Sequence, residues 1–373
     1  MWHFCVNSMA LLPALSRKDG YMARRIFGIA LVGVGNIARI HAAAVAEIDN
    51  ARLVAVCDSV EAACRAFSQQ AGGIPWTTDI HELVARRDVD IVTICTPSGT
   101  HADLAVLAAQ AGKHVMVEKP LDVTLRQADR IIAAAHEHNV KLAGIFPNRF
   151  RSGANRAKEA IERGRLGRLV FADAYVKWYR SQDYYRGWHG TWVLDGGGAL
   201  INQAIHTIDL VQWLAGPVNS VYGRIATLGH VMEAEDTASA VLTFEQGALG
   251  VIQAATSCWP GEPARAEFHG TGGTITLEEG RVTVWKLADA TVEEEEAVIS
   301  LEEQDGLSQA DPAAIPHVPH RLQIEDMIDA IQNDREPCVT GAEARKAVEL
   351  VRAIYLSAKG KCLVHLPLLD PEA

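Results

Sequence analysis

Residues 26–38, with the sequence IFGIALVGVGNIA, contain the pattern on which the prediction of the fold depends. An apolar run of strand length, Ile26 to Val32, leads directly into a turn that contains Gly33 and Gly35. The residues that follow, Asn36 to Ile48, place apolar side chains at helical spacing. A buried strand, a glycine-rich turn and a helix in this order predict the first unit of a parallel α/β sheet.

The same alternation continues to about residue 146. Further runs that are apolar on both faces cover Leu53 to Cys57, Val89 to Cys95, His114 to Val117 and Leu142 to Phe146. Helical patterns lie between them, over Val60 to Gln70, Asp79 to Arg87, His101 to Ala111 and Thr124 to His138. Strands without a polar face are typical of a sheet covered by helices on both sides, so we predict a doubly wound parallel sheet.

After Arg149 polar and apolar residues alternate instead. Examples are Val221 to Thr227, Ala238 to Phe244 and Thr274 to Leu277. This alternation predicts a mostly antiparallel sheet and therefore a second domain. Helices are predicted over Leu200 to Leu214, around Ile324 to Ile331 and over Ala342 to Ser357. The acidic run Glu293 to Glu296 is expected to be a solvated loop or an edge strand.

The composition excludes several classes of partner. The 373 residues include 35 lysines and arginines against 46 acidic residues, a formal net charge of −11. Because an acidic surface repels phosphate backbones, we expect no nucleic-acid partner. No stretch approaches the roughly 18 uninterrupted apolar residues of a membrane span, so we expect no membrane association.

Cysteine usage and the N-terminal segment give two further expectations. Seven cysteines are few for this length, and their spacing does not match a zinc site, so we expect a cytoplasmic protein without a bound metal. Residues 1–21 show no clear periodicity and are expected to be a disordered extension or a start-site artefact. Arg24-Arg25 before an apolar run resembles an export signal, but the glycine turn that follows favours a buried strand.

The turn Gly33-Val34-Gly35-Asn36-Ile37-Ala38 is typical of dinucleotide-binding proteins. Gly33 permits the tight turn, and Gly35 lets the backbone approach a pyrophosphate. The N-terminus of the following helix attracts the phosphate groups. We therefore expect Gly33, Gly35, Asn36 and Ile37 to contact the cofactor.

Asp58 ends the second apolar run, where an acidic residue accepts hydrogen bonds from the adenosine ribose. A carboxylate there repels the additional phosphate of NADP, so NAD is favoured over NADP. Alternatively, Asp58 caps the turn before Val60, and both roles are compatible.

Polar motifs follow later strands, at the sheet edge where open α/β sheets bind ligands. Thr96-Pro97-Ser98-Gly99-Thr100-His101 follows one strand and Glu118-Lys119-Pro120 the next. In the second half, Asp195-Gly196-Gly197-Gly198 precedes a helix with Asn202 and His206 on one face. Taken alone, His206 is more simply a satisfied core histidine, whereas the triple glycine and the lysine motif together favour a catalytic role.

Together these motifs resemble the Gfo/Idh/MocA family, the relatives of glucose-fructose oxidoreductase and inositol dehydrogenase. The matching segments are Gly33-x-Gly35-x-x-Ala38, Thr96-Pro97 with His101, Glu118-Lys119-Pro120, Asn148-Arg149-Phe150, Gly196-Gly197-Gly198 with His206 and Asp209, and Pro337-x-x-Thr340-Gly341-x-Glu343. The resemblance extends over roughly residues 26 to 367.

The resemblance implies an α/β architecture of two domains. An N-terminal Rossmann domain over residues 22–147 binds the nucleotide. A C-terminal α/β domain over residues 148–373 binds the substrate, and its open sheet supports a homodimer or homotetramer.

It also implies reversible oxidation of a secondary hydroxyl of a sugar or cyclitol with a nicotinamide cofactor and no metal. Carried over to this chain, Lys119 lies near both nicotinamide and substrate, and His206 is the catalytic acid/base. The cofactor site is expected to include Thr96, Pro97, His101, Glu118 and Lys119. A cis peptide bond before Pro120 would aim the lysine inward. Asp209 is expected to be structural.

The chain departs from the inositol dehydrogenase-like members at Asn202, where those members have an aspartate. An aspartate holds an imidazole in one tautomer and raises its basicity, whereas an amide supplies no charge. Asparagine resembles the nucleotide-sugar and sugar 3-dehydrogenase branches, so a sugar is favoured over inositol.

Aromatic and basic residues crowd into the segment before the glycine triplet. They are Trp178, Tyr179, Arg180, Tyr184, Tyr185, Arg186, Trp188, His189 and Trp192. Aromatic faces suit pyranose rings and arginines suit anionic groups, although packing at a domain or subunit interface explains any one of them equally well. We predict that Arg149, Trp188 and Asn202 contact the substrate, together with Lys119 and His206.

Three functions remain open from the sequence. The first is an NAD-dependent sugar dehydrogenase, with an inositol dehydrogenase as a variant. The second is a reductase of a keto-sugar or nucleotide-sugar, with Arg180 or Arg186 holding a diphosphate. The third is a non-catalytic dinucleotide sensor, which the presence of both Lys119 and His206 disfavours.

Overall fold

The computed structural model describes residues 25–302 and 316–370. The expectation for residues 1–21 therefore lies outside the described residues. In the two described ranges, no helix has the length and apolarity that crossing a bilayer requires.

The first sheet consists of β1 (Phe27–Val32), β2 (Ala51–Cys57), β3 (Trp76–Thr77), β4 (Ile91–Ile94), β5 (His114–Val117) and β6 (Leu142–Gly144). Its helices are α1 (Asn36–Ala46), α2 (Glu61–Gln70), α3 (Ile80–Ala85), α4 (His101–Gln110) and α5 (Leu125–Glu137). The strand order is β3-β2-β1-β4-β5-β6 and all neighbours are parallel. The predicted Rossmann sheet is thus confirmed, and only the two-residue β3 is too short to leave a periodic signal.

Alternate residues of β1 enter hydrophobic cores on opposite faces of this sheet. Ile29 and Leu31 pack in the core that includes residues of α1, such as Val45. Ala30 and Val32 pack in the core that includes residues of α4 and α5. Because all six residues of β1 are buried, the run has no polar side.

The second sheet consists of β7 (Leu169–Lys177), β8 (Val218–Ala226), β9 (Thr237–Phe244), β10 (Leu249–Ala255), β11 (Arg265–Gly270), β12 (Gly273–Glu278), β13 (Arg281–Leu287) and β14 (Val364–His365). Its order is β13-β12-β11-β7-β10-β9-β8-β14. Only β10 and β7 pair in parallel, so the predicted mostly antiparallel sheet is confirmed. In β9, buried and accessible residues alternate, as its sequence pattern predicts.

The remaining helices are α6 (Ser152–Glu162), α7 (Ile205–Ala215), α8 (Val292–Glu302), α9 (Val318–Gln332) and α10 (Gly341–Gly360). Helices α6, α7 and α10 pack on the second sheet. Helix α9 returns to the first sheet, where Ile324, Met327 and Ile328 share a core with β1. A single cut between residues 147 and 148 therefore does not assign every element to its sheet, and that domain division remains a prediction.

The prediction for the acidic run Glu293 to Glu296 is wrong, because these residues lie in α8. Three glutamates occupy the first turn of this helix, where the helix dipole favours negative charge. Glu294 also accepts hydrogen bonds from Arg165 at 2.6 and 3.1 Å and from Trp285 at 3.2 Å. A run of like charges therefore forms a helix here because its N-terminus and a long-range arginine compensate the repulsion.

Candidate active site

A cavity of about 1050 Å³ lies at the carboxyl edge of the first sheet and extends to the helical segment that carries Asn202 and His206. Twelve of the predicted site residues line it: Gly33, Gly35, Asn36, Ile37, Asp58, Thr96, Pro97, Glu118, Lys119, Trp188, Asn202 and His206. Arg149 and His101 are not among the lining residues. The volume suits a dinucleotide and a small substrate together.

The glycine turn leaves the start of α1 open to this cavity. Gly33 has a φ of +88°, and a Cβ on it would collide with the backbone of Cys95. Gly35 is the N-cap of α1, with nothing within 4 Å of the position of a Cβ and no side-chain cap. Free backbone N–H groups and open space at a helix N-terminus fit a pyrophosphate.

Asp58 closes the turn before Val60, one of the two roles that the sequence leaves open, and its contact with the adenosine ribose stays a prediction. One carboxylate oxygen accepts a hydrogen bond from the backbone N–H of Val34 at 2.9 Å, within the glycine turn. The other accepts from the N–H of Val60 at 2.9 Å and closes the turn that leads into α2. Because Asp58 also lines the cavity, its carboxylate is held where the adenosine ribose of a dinucleotide is expected.

Glu118 anchors the lysine motif at the end of β5. Its buried carboxylate binds His41 Nε2 at 2.8 Å and accepts from the backbone N–H of Lys119 at 3.1 Å. Burial alone would raise the pKa of Glu118, but the hydrogen bond and charge of His41, with His320 and Lys119 nearby, lower it to about 2. Glu118 therefore stays ionised and fixes the backbone from which Lys119 projects.

Lys119 joins the two halves of the site. Its Nζ donates to the backbone carbonyl of Asn202 at 2.8 Å. The Lys119–Pro120 peptide bond is cis, as predicted. Burial lowers the pKa of Lys119, against the opposing charges of Glu118 and Asp195. The side chain is therefore an ammonium donor whose pKa is closer to neutrality than that of an exposed lysine.

His206 presents a neutral imidazole to the same cavity. Removal from water, followed by the charge of Lys119, lowers the pKa of His206 to about 3. Its Nδ1 finds no hydrogen-bond partner within residues 25–302 and 316–370. An edge-on contact with Phe146, 6.0 Å between ring centres, holds the ring. A neutral imidazole beside an ammonium group can accept a proton from a substrate hydroxyl.

The helix predicted over Leu200 to Leu214 begins as a π-helix, Ala199–Ala204, and continues as α7. Asn202 therefore lies in a wider turn than His206, yet both line the cavity. Asn202 Nδ2 donates to the buried Asp195, and its Oδ1 accepts from Gln203 at 2.9 Å. The carboxylate that inositol dehydrogenase-like members have at position 202 is absent here, but the carboxylate of Asp195 contacts the amide of Asn202 and orients it.

Arg149 does not line the cavity, contrary to the expectation that it contacts the substrate. Its guanidinium donates to Asp209 at 2.8 and 2.6 Å and to Glu343 at 3.2 Å. It also stacks over Trp213, 5.4 Å from the ring centre. Arg149 is 6% exposed, so this group is a buried ion-pair network, and Asp209 has the structural role predicted for it.

His101 also differs from its prediction. It is 1% exposed, and its two ring nitrogens lie 3.0 Å from the carbonyl of Pro120 and 2.9 Å from that of Thr96. These carbonyls belong to the loops after β5 and β4. His101 therefore connects the two loops instead of lining the cofactor cavity.

The aromatic segment divides into two groups. Trp178, Arg180, Tyr184, Trp188 and His189 line the cavity. The others pack elsewhere: Tyr179 against Trp259, Tyr185 against Thr256 and Trp192 against Tyr355, while Arg186 pairs with Asp183 at the surface. Packing therefore explains about half of the cluster.

The sequence interpretation missed several residues of the cavity. Gln203 and His320 line it, and His41 lies behind Glu118. Gln203 is adjacent to Asn202, a signal that was available in the sequence. His320 and His41 are brought to Glu118 from α9 and α1, and the local sequence around them contains no comparable signal.

His41, Glu118 and His320 each place one metal-ligating atom within 4.8 Å of the others. Such a set could hold a divalent transition metal. The hydrogen bond between His41 and Glu118 at 2.8 Å already satisfies two of these groups. The expectation that no metal is bound therefore remains a prediction.

We expect His320 to make the fold sensitive to acid. Burial and the charge of His41 lower its pKa to about 4, from about 6.5 in the unfolded chain. Its neutral form is thus favoured in the folded state, so the stability it allows above pH 6.5 is lost as the pH falls towards 4. Between pH 7 and pH 5 the loss is about 2 kcal/mol.

Urea unfolding of His320→Gln at pH 7, 6 and 5 measures this contribution. The variant should lose about 2 kcal/mol less stability over this range than the unchanged protein. The exposed His138 provides the matched control His138→Gln, which should retain the full pH dependence. An equal loss in all three proteins would contradict the buried neutral state of His320.

Comparisons with known proteins agree with this geometry. Residues 27–146 match the model of an oxidoreductase family with an NAD-binding Rossmann fold, and residues 154–276 match the GFO/IDH/MocA C-terminal domain. Myo-inositol 2-dehydrogenase of Thermotoga maritima is 32% identical over 70% of this chain and 78% of its own. D-glucoside 3-dehydrogenase of Escherichia coli is 30% identical over 67% of this chain and 69% of its own.

A solved structure covers nearly the whole chain. The WlbA dehydrogenase from Bordetella pertussis, in complex with NADH and UDP-GlcNAcA, superposes with a TM-score of 0.85 at 32% identity. The match covers 93% of this chain and 100% of that one. The sequence motifs, the two sheets and these similarities agree, and the chain belongs to the Gfo/Idh/MocA family of oxidoreductases.

Proposed function

We propose that the protein is an NAD-dependent dehydrogenase that reversibly oxidises a secondary hydroxyl of a sugar or sugar derivative. One observation carries the proposal. Lys119 and the neutral His206 line the same cavity as the glycine turn and Asp58. A hydrogen-bond donor, a proton acceptor and a dinucleotide site in one cavity are the groups that hydride transfer from an alcohol requires.

The cofactor-binding residues in this proposal are Gly33, Gly35, Asn36, Ile37, Asp58, Thr96, Pro97 and Glu118 with Lys119. The open N-terminus of α1 binds the pyrophosphate, and Asp58 binds the adenosine ribose. When bound, the nicotinamide supplies the acceptor for the hydride. His101 and the Glu118–His41 pair position the loops around it.

The proton chemistry belongs to two side chains. Lys119 donates a hydrogen bond to the oxygen of the reacting hydroxyl and stabilises the negative charge that develops there. His206 is unprotonated at neutral pH, because burial and the charge of Lys119 lower its pKa to about 3. It accepts the hydroxyl proton in concert with hydride transfer, which compensates for its weakened basicity. Asn202 and Trp188 orient the sugar, the first through its amide and the second through its ring face.

The direct test is NADH formation, followed by its near-ultraviolet absorbance, with NAD and a panel of substrates. The panel contains free hexoses, their uronic acids, UDP-linked sugars and myo-inositol. The last two are included because the chain is similar to a myo-inositol 2-dehydrogenase and to a dehydrogenase in complex with UDP-GlcNAcA. Turnover of at least one sugar is expected. NAD binding without turnover across the whole panel would instead favour a dinucleotide sensor.

We predict that Asp58→Ala weakens NAD binding by about 10- to 100-fold, because hydrogen bonds from the ribose to a charged group are lost. NADP binding should weaken less or improve, since the repulsive carboxylate is gone. Titration of both cofactors by protein fluorescence quenching measures the ratio. The exposed Asp49→Ala is the control. An unchanged ratio of NAD to NADP affinity would contradict the assignment of Asp58.

We further propose a cytoplasmic homo-oligomer that associates through the second sheet. On the face of this sheet opposite α7, Phe171, Tyr222, Val241 and Leu249 are each between 40 and 54% exposed. Exposed apolar side chains that share one sheet face are stabilised by contact with a second copy of the chain. Whether the assembly is a dimer or a tetramer is a matter for measurement of the mass in solution.

A further inference from the structure

Arg180 lies at the end of the cavity that faces the second sheet. It follows β7, is 8% exposed and lines the cavity. Its guanidinium lies over the rings of Trp178 and Tyr184, 5.0 and 5.6 Å from their centres. Its hydrogen bonds include one to the backbone carbonyl of Tyr179 at 3.2 Å and one to Gln203 Oε1 at 2.9 Å.

The surroundings hold this arginine in one orientation. Gln203 donates to Tyr184 at 2.8 Å and to Asn202 at 2.9 Å. Asn202 in turn donates to Asp195, which is 1% exposed and is not among the lining residues. The guanidinium is therefore pre-organised by rings and amides, and Asn202 separates the buried carboxylate of Asp195 from the cavity.

The charges on the cavity wall favour an anion at this end. Three carboxylates line the cavity, and each is engaged: Asp58 binds the glycine turn, Asp103 pairs with Arg130 at 3.1 Å and Glu118 pairs with His41. Lys119 is the second cation, and the charge of Arg180 contributes to lowering the pKa of Lys119. Two neighbouring cations in a partly dehydrated cavity attract an anion strongly.

We propose that Arg180 forms an anion subsite that binds a carboxylate on the sugar substrate, next to the hydroxyl held by Lys119 and His206. The inference rests on the proposed dehydrogenase function and narrows its substrate class to acidic sugars. A planar guanidinium matches a carboxylate with two parallel hydrogen bonds, which a neutral hydroxymethyl group cannot replace. The diphosphate of a nucleotide-linked sugar could bind to the same guanidinium. The experiment below distinguishes the two anions, because each sugar is used both free and UDP-linked.

The chain offers a matched control for Arg180. Arg186 lies six residues further along the same segment, but it is exposed and pairs with Asp183 at 2.9 Å. It is not among the residues that line the cavity. Arg186→Met therefore removes the same charge from the same region without touching the subsite.

Binding to the NADH-loaded enzyme, measured by titration calorimetry, tests the subsite without requiring turnover. The ligands are matched pairs: glucose and glucuronate, galactose and galacturonate, and N-acetylglucosamine and its uronic acid, each free and UDP-linked. In at least one pair the uronate should bind about 30-fold more tightly. Arg180→Met should reduce this ratio to about threefold or less, Arg180→Lys should retain part of it, and Arg186→Met should retain all of it.

Four outcomes would overturn the inference. The first is the absence of a preference for uronates in every pair, which includes a failure of every uronate to bind; the second is a preference that survives in Arg180→Met; the third is a dependence on UDP alone. An equal loss for neutral and acidic ligands would assign Arg180 a positioning role through Gln203 and would also overturn it. Turnover of a neutral sugar, with no preference for any uronate, would support the dehydrogenase function and contradict the anion subsite. Binding of a uronate with the expected dependence on Arg180, but without NADH formation, would support the subsite and contradict the dehydrogenase function.

Discussion

Replacement of Lys119 by methionine is expected to lower kcat by about 1000-fold while NAD still binds. The ammonium donates to the backbone carbonyl of Asn202 at 2.8 Å and projects from a backbone held by Glu118. Methionine keeps the apolar stem but removes the charge that stabilises the developing oxyanion. Loss of one such donor costs about 10²- to 10³-fold in kcat, and loss of proton-transfer assistance adds to this.

Steady-state kinetics with the best substrate of the panel, together with NAD titration, measure the effect. Lys359→Met, at an exposed position in α10, is the matched control and should behave as the unchanged protein. His206→Asn should show a loss of about 10²- to 10⁴-fold. Because the two groups act on one hydroxyl, the double variant should lose much less than the product of the two effects. A kcat within tenfold of the original in Lys119→Met would remove this lysine from the mechanism.

Replacement of Arg149 by methionine is expected to lower the free energy of unfolding by about 3–5 kcal/mol. Burial raises the pKa of Asp209, and Arg149 is the group that opposes this by charge and hydrogen bonding. Without the guanidinium, the buried carboxylate of Asp209 loses two hydrogen bonds and its counter-charge. The cost reflects this uncompensated carboxylate more than the value of the pair itself.

Urea unfolding measures the loss of stability. A second substitution tests whether the loss comes from the uncompensated carboxylate of Asp209. Arg149→Met combined with Asp209→Leu removes both charges and should recover most of the stability. Arg163→Met breaks an exposed pair with Glu159 and should change stability by about 1 kcal/mol or less. If Arg149 contacted the substrate instead, Arg149→Met would raise KM strongly at unchanged stability, which would contradict the structural assignment.

The elements that the sequence predicts well are those whose signal is local. The uninterrupted apolar run of β1 and the glycine turn after it encode their own backbone conformation within a dozen residues. The same is true of β9, in which period-two burial matches the sequence. The Glu118-Lys119-Pro120 motif could be placed at the cavity because it directly follows a buried strand, β5. In each case the signal lies in the order of adjacent residues.

The errors concern contacts between distant parts of the chain. The charge of Arg149 and its place between the two predicted domains suggest a substrate contact. Its partners, however, are Asp209, 60 residues later, and Glu343, 194 residues later. The acidic run in α8 forms a helix because Arg165 lies against it, 129 residues earlier. The sequence shows that such a residue is charged. It does not show which residue of opposite charge the fold brings next to it.

The sequence by itself determined the two sheet types, the dinucleotide-binding turn and the candidate pair Lys119 and His206, because backbone periodicity and short motifs depend on adjacent residues. Only the tertiary structure decided which polar groups pair with one another. In the folded chain Arg149 pairs with Asp209 and His101 contacts the carbonyl of Pro120. Asn202 donates to Asp195, and Arg180 lines the cavity. Pairing of buried charges depends on distances across the fold, and these distances exist only after the two sheets have packed.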